Sequence, residues 1–233
     1  MRSFFRSHLL LLGLALAVVL SGCLTIEEHY TFKKNGSGTM EYVVDMSELG
    51  ELISAFDAID STGEGATPGQ LNTLDMDEEV KALKAINGIK KVKLVKKERW
   101  VQRLQFGFKD IEALNAALNV LMPDSSGVPH EFFRWEGNTL VRTNNRHAYE
   151  LGAGMSEMDA GEQEEGEELD PDPILETMKY RYSFKFANDI AEATTVEGVE
   201  RENVSGREVK FDTDWRVIAN NRQALDLSIR LDR

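Results

Sequence analysis

Cysteine is almost missing from this sequence, with one in 233 residues, at position 23. An intramolecular disulfide and a cysteine-based zinc site are both excluded. Histidine is scarce as well. Past residue 22 only His29, His130 and His147 occur, too widely separated for a local metal motif such as HExxH. Each reads as a surface residue. Positive charge is in deficit, 27 Lys plus Arg against 40 Asp plus Glu for a formal charge of −13, which excludes a general nucleic-acid binder. The apolar run Leu9–Leu20 is 12 residues long, short of the roughly 20 that a membrane-spanning helix requires. There is no Walker loop and no dinucleotide fingerprint. Gly36-Ser37-Gly38 lacks the GxSxG spacing of a nucleophile elbow, and the acidic run from Asp75 to Glu78 has no glycine at the sixth position of a calcium loop. No catalytic residue, metal or cofactor is therefore expected.

Hydrophobic residues at 42% and charged residues at 29% suit a folded domain of a chain this long. The N-terminus is an exception. Arg2 and Arg6 precede the short apolar run, which closes on Leu20-Ser21-Gly22-Cys23. A basic start, a run of this length and small residues at its end make a secretory signal peptide over residues 1–22. The tetrapeptide resembles the lipobox of bacterial lipoproteins. That resemblance implies a thioether-linked diacylglycerol on Cys23, cleavage before it and acylation of the new amine with palmitate or a similar chain. One acyl chain is marginal, whereas two or three, at about 0.8 kcal/mol for each buried CH₂, anchor effectively for good. The expected location is the cell envelope after export. Leu24, in place of an aspartate, favours the outer membrane over the inner.

Beyond the anchor the pattern becomes two-periodic. Ile26, Tyr30 and Phe32 share one face, with Glu27, His29, Thr31 and Lys33 on the other. After Asn35-Gly36-Ser37-Gly38, the alternation of Met40, Tyr42, Val44 and Met46 completes a hairpin. Leu49 to Ile59 has helical spacing, 60–70 reads as a loop, and a second helix spans about Asp75 to Asn87 before Gly88. A second hairpin, Ile89–Lys97 and Trp100–Lys109, leads to an amphipathic helix from Ile111 to Leu121 with Asp110 as its cap. Hairpin-then-helix thus appears twice. A third hairpin pairs Phe132–Trp135 with Thr139–Arg142. Met178 to Phe186 is the cleanest strand, and Val209, Phe211 and Trp215, then Leu225 to Leu231, supply the last ones after a turn at Ser205-Gly206.

Two charge blocks stand out. From Glu150 to Asp172 there are ten acidic residues and no basic one, so residues 150–173 read as a disordered acidic loop that splits one domain into 23–149 and 174–233. From Lys81 to Arg103 there are nine Lys or Arg and one acid. Lys90, Lys91, Lys93, Lys96 and Lys97 are the candidate contacts to an anionic surface, each worth about 1 kcal/mol near such headgroups. The plainer reading is a solvated edge hairpin whose lysines block strand-to-strand aggregation. Tyr180, Tyr182, Phe184 and Phe186 are expected in the core, with a lipid-binding cavity as the alternative.

The expected fold is α+β, an antiparallel and strongly curled sheet of seven or more strands, half-barrel-like, packed on two to three helices. The Asn35-Gly36-Ser37-Gly38 hairpin soon after Cys23, the Phe108-Lys109-Asp110-Ile111 to Leu118 junction and Phe184-Lys185-Phe186 resemble the LppM-like family of bacterial lipoproteins. That resemblance implies a lipid-anchored α+β domain without enzymatic activity that engages envelope glycolipid. The chain departs from it in its long acidic stretch and in an expected lack of a C-terminal membrane segment. The partners to expect are the membrane, through Cys23, and an envelope lipid, glycolipid or protein; the second functional reading is a protein–protein scaffold at the outer membrane.

Overall fold

The computed structural model describes residues 24–232, apart from 49, 52–75, 99, 144 and 160–171. The signal peptide expected over residues 1–22, Cys23, most of the helix expected from Leu49 and the loop after it lie outside the described residues.

Strands β1 (Thr25–Phe32) and β2 (Gly38–Asp45) form the first hairpin. Its turn is held by Asn35 Oδ1, which accepts from the Ser37 backbone N–H at 3.2 Å and from its hydroxyl at 2.8 Å, while Gly36 takes the left-handed φ of 79°. Helix α1 (Asp77–Ala85) carries three acids in its first turn, favourably placed against the helix dipole. The second hairpin is β3 (Ile89–Glu98) and β4 (Val101–Phe108), and helix α2 (Ile111–Leu121) follows at once because the Asp110 carboxylate caps the Ala113 N–H at 2.9 Å. Then come β5 (Phe133–Glu136), β6 (Thr139–Arg142), α3 (Arg146–Asp159), α4 (Asp172–Thr177), β7 (Lys179–Phe186), β8 (Ile190–Thr195), β9 (Glu200–Ser205), β10 (Glu208–Asp214), α5 (Trp215–Asn220) and β11 (Leu227–Leu231).

The expectation of an antiparallel, half-barrel-like sheet is corrected in two respects. One sheet has seven strands in the order β3-β4-β2-β1-β7-β10-β9, and its central pair, β1 with β7, is parallel. A parallel pair needs a long crossover, which the whole stretch between β2 and β7 provides. The sheet also does not curl round to close: β3 and β9 stand at opposite ends, and the remaining strands form a separate four-stranded sheet, β5-β6-β11-β8. Its apolar residues Phe133, Leu140, Ala193, Leu227 and Ile229 are buried, so a second layer does the covering that a curled sheet would have done.

The helix count rises from two or three to five among the described residues. Trp215, assigned above to a strand, starts α5: the Asp214 carboxylate accepts from the Val217 N–H at 3.0 Å and ends the strand where the alternation 209, 211, 215 ran on. The loop expected from Glu150 starts inside α3, and its Asp172 end opens α4; residues 160–171 lie outside the description. Helix α3 holds because Arg146 pairs with Glu150 one turn on, at 2.5 Å, and because it packs on α5, where a Cβ at Gly152 would come within 3.2 Å of the Ala219 Cβ.

Tyr180, Tyr182, Phe184 and Phe186 lie in the core, as the plainer reading had it. Phe184 stacks on Tyr30 at 5.1 Å and Phe186 on Phe32 at 5.4 Å, the parallel register placing each ring beside its neighbour on β1.

Candidate functional site

A charged pair sits inside this aromatic core. Glu28 falls on the inward face of β1, in register with Ile26, Tyr30 and Phe32, and is wholly buried. Arg142, the last residue of β6, reaches it from the other sheet, donating from Nη1 to Oε2 at 2.6 Å and from Nη2 to Oε1 at 3.1 Å. The Tyr30 hydroxyl donates to Oε2 at 2.7 Å and the Tyr180 hydroxyl to Oε1, so both carboxylate oxygens are doubly satisfied. Arg142 Nε donates to Asn145 Oδ1 at 2.8 Å, and Asn145 passes the connection to Asp226 at 2.9 Å. Burial works to raise the Glu28 carboxyl, but the charge and hydrogen bonds of Arg142, with those of Tyr180 and Tyr30, hold it below its ordinary value. In the sequence the only signal for Glu28 is an acid at a core-facing position of an alternating strand.

The opposite face of the seven-stranded sheet is polar. One cross-strand row runs Lys93, Gln105, Glu41, His29, Ser183, Lys210, Glu202, each beside the next in the ladder. Glu41 accepts from Arg103 at 2.8 Å and from Gln105 at 2.6 Å, and Arg181 donates to Asp212 at 2.7 Å. At the centre, His29 Nδ1 lies 2.8 Å from Ser183 Oγ and His29 Nε2 lies 3.1 Å from Glu27 Oε2. His29 borders two grooves, one of about 490 Å³ over β1, β7 and β10 and one of about 480 Å³ over β1, β2, β4 and β3.

The second groove collects part of the basic block. β3 is an edge strand, and Lys90, Lys91 and Lys93 are exposed on it. Lys90 and Lys91 line the groove with Lys33, Thr31, Thr39 and Gln105. Two residues, Lys91 and Val92, stand opposite Phe106 alone, and this bulge holds Lys91 at a φ of 55°, a left-handed conformation that L-residues seldom take. Among the described residues none of Lys33, Lys90, Lys91 or Lys93 has an ion-pair partner, whereas Glu41, the acid in this groove, is already held by Arg103. Lys96 and Lys97 belong to β3, but their side chains lie outside the description.

The three histidines are not brought together, and one of them corrects the expectation of surface positions. His29 is on the polar face. His130 Nε2 meets Asp124 Oδ2 at 2.6 Å in the loop after α2, and Ser126 approaches the same nitrogen at 3.4 Å, so acid and hydroxyl share one side of the ring. Hydrogen bonds from Ser126 and His130 outweigh burial and hold the Asp124 carboxyl at about 2. His147 has both ring nitrogens buried without a hydrogen-bond partner, its ring edge-on to Phe132 at 5.6 Å. Burial lowers its pKa to about 4. Among the described residues no group of three or more His, Cys, Asp or Glu is arranged to hold a metal, and no helix is long and apolar enough to cross a membrane.

These features define a two-sheet α+β domain with an ion pair sealed in its core and a groove-bearing polar face. No protein-family model and no curated protein matches the chain. Among solved structures it is similar to the folded domain of LppM from Mycobacterium tuberculosis, determined by NMR, with 11% identity and a TM-score of 0.42 over 91% of this chain and 90% of that one.

Proposed function

We propose that the chain is a lipoprotein of the bacterial cell envelope, anchored through Cys23 in the outer rather than the inner membrane, whose domain binds envelope lipid or glycolipid by its anionic headgroup. The observation that carries this reading is the set of lysines without an ion-pair partner among the described residues, Lys33, Lys90, Lys91 and Lys93, gathered at one end of the polar face around a groove with hydroxyl and amide side chains. Cations without partners beside hydrogen-bonding neutral groups suit a phosphate-bearing headgroup. Lys96 and Lys97 extend the same strand. Leu24, directly after the anchored residue, hydrogen-bonds into the sheet through Lys179 at the start of β1, whereas the groove lies at the other end of that strand, so its lysines meet headgroups where this face lies along the bilayer.

The test is flotation of the chain from Leu24 onward with anionic and with neutral vesicles at two salt concentrations. Binding to anionic vesicles alone, weakened by salt and lost when Lys90, Lys91, Lys93, Lys96 and Lys97 become glutamine, supports the reading. Equal binding of the glutamine variant, or no binding by either, leaves a solvated edge strand and puts the protein–protein scaffold in its place.

A further inference from the structure

We propose that Ser183, His29 and Glu27 form a nucleophile, base and carboxylate that cleave small acyl esters of a polyhydroxylated alcohol. The proposal is independent of the headgroup reading above. His29 and Ser183 are direct partners in the parallel β1–β7 register, and Glu27 lies two residues before His29 on the same face. The imidazole therefore bridges the two, Nδ1 to the hydroxyl at 2.8 Å and Nε2 to the carboxylate at 3.1 Å.

The chemistry assigns the protons. The hydrogen bond from His29, with the nearby charge of Arg181, holds the Glu27 carboxyl below its ordinary value despite burial, so it is ionised and can only accept. Nε2 must then carry the hydrogen. The neutral ring is left with its Nδ1 lone pair facing the Ser183 hydroxyl, the arrangement a general base needs, with the nucleophile and the orienting acid on opposite nitrogens. The Asp124–His130–Ser126 group fails that requirement, since its acid and hydroxyl share one nitrogen.

Lys210 stands across from Ser183 on the side away from His29, exposed and without an ion pair among the described residues. Its ammonium is in place to meet the negative oxygen that develops on a carbonyl attacked by Ser183. The groove of about 490 Å³ over these residues also presents Asp212, Glu200 and Glu202. Carboxylates accept hydrogen bonds from hydroxyls, and an open groove of this volume, walled by Glu200, Glu202, Arg181 and Arg201, gives a long acyl chain no enclosed seat; both features point to a short acyl group on a hydroxyl-rich alcohol. In the reaction the Ser183 oxygen bonds to the acyl carbon as its proton passes to His29 Nδ1. The bond to the alcohol oxygen breaks and that oxygen takes the proton. Water, deprotonated by His29, then releases the acid and restores Ser183.

The test uses the full chain purified in detergent, with a fluorophosphonate probe, p-nitrophenyl acetate and glucose 6-acetate. Peptide mapping should find the probe on Ser183. Hydrolysis should fall by roughly 100-fold or more in Ser183→Ala and His29→Phe, and by roughly 10- to 100-fold in Lys210→Met. Glu27→Gln should slow the reaction and move the acidic limb of its pH–rate profile to lower pH, because Glu41, Asp212, Arg103, Arg181 and Lys210 remain while the adjoining anion is gone. A purely structural hydrogen bond would leave that limb in place. Labelling needs no variant, so misfolding of a mutant cannot mask the answer. An unlabelled Ser183, or an undiminished rate in Ser183→Ala, overturns the proposal and leaves a cross-strand hydrogen bond only.

Discussion

The Arg142 guanidinium grips both oxygens of the Glu28 carboxylate and by doing so ties the seven-stranded sheet to the four-stranded one through the middle of the core. Both partners are buried. A buried pair of this kind contributes little over well-packed apolar residues, but either charge alone is costly.

Arg142→Met should accordingly destabilise the domain by about 3–5 kcal/mol, because Glu28 is left charged and uncompensated. Combining it with Glu28→Met should recover part of that loss, the remainder being the Tyr30 and Tyr180 hydroxyls deprived of an acceptor. Urea unfolding of the four proteins gives the coupling directly. The sign of the pH dependence follows from the depressed carboxyl: stability from the pair is present above the ordinary carboxyl value of 4.5 and is lost as pH falls through the lower folded value. In Arg142→Met burial is opposed only by the Tyr180 and Tyr30 hydrogen bonds, so the carboxyl rises from its wild-type value and the variant's deficit should shrink between about pH 7 and about pH 4.

His147 makes a second pH-dependent contribution. Its folded pKa of about 4 lies below the ordinary 6.5, so protonation favours the unfolded chain. The contribution is complete above 6.5 and is lost as pH falls toward 4, up to about 3 kcal/mol by linkage. His147→Leu should flatten this part of the stability profile, measured by urea unfolding at a series of pH values. An unchanged slope would show that other groups, with Asp124 and Glu28 the nearest acids, carry it.

Helix α3 separates two deletions that look alike on paper. Replacing residues 160–171 with a short Gly-Ser bridge should change stability by less than about 1 kcal/mol, since loop length enters only logarithmically. Starting the deletion at Glu150 removes the contact of Gly152 with Ala219 and the pair of Glu150 with Arg146, 2.5 Å apart. That variant should melt at a clearly lower temperature, and equal melting of the two would show that α3 contributes nothing to the fold.

Local pattern was legible where one stretch of chain settles its own conformation. The three hairpins, the cap at Asp110 and the burial of alternate aromatics on β7 all follow from period and turn chemistry within a few residues. Where two local signals competed, the reading went astray: the alternation through Val209 and Phe211 ran on to Trp215, although Asp214 had already capped a helix. Composition misled in the same way at α3, where glycine and acids suggested a loop and packing against α5 supplied a helix.

By itself, then, the sequence determined which residues alternate, where turns and caps fall, and that nine of the 27 Lys and Arg of an acidic chain cluster between Lys81 and Arg103. Only the tertiary structure decided that β1 lies parallel to β7, and this pairing sets Ser183 beside His29 on the outer face and Tyr180 over Glu28 on the inner one. The physical reason is that strand register over 154 residues of separation depends on the whole core packing at once. A slip of one residue would turn every side chain of β7 to the other face, and no local propensity records that choice.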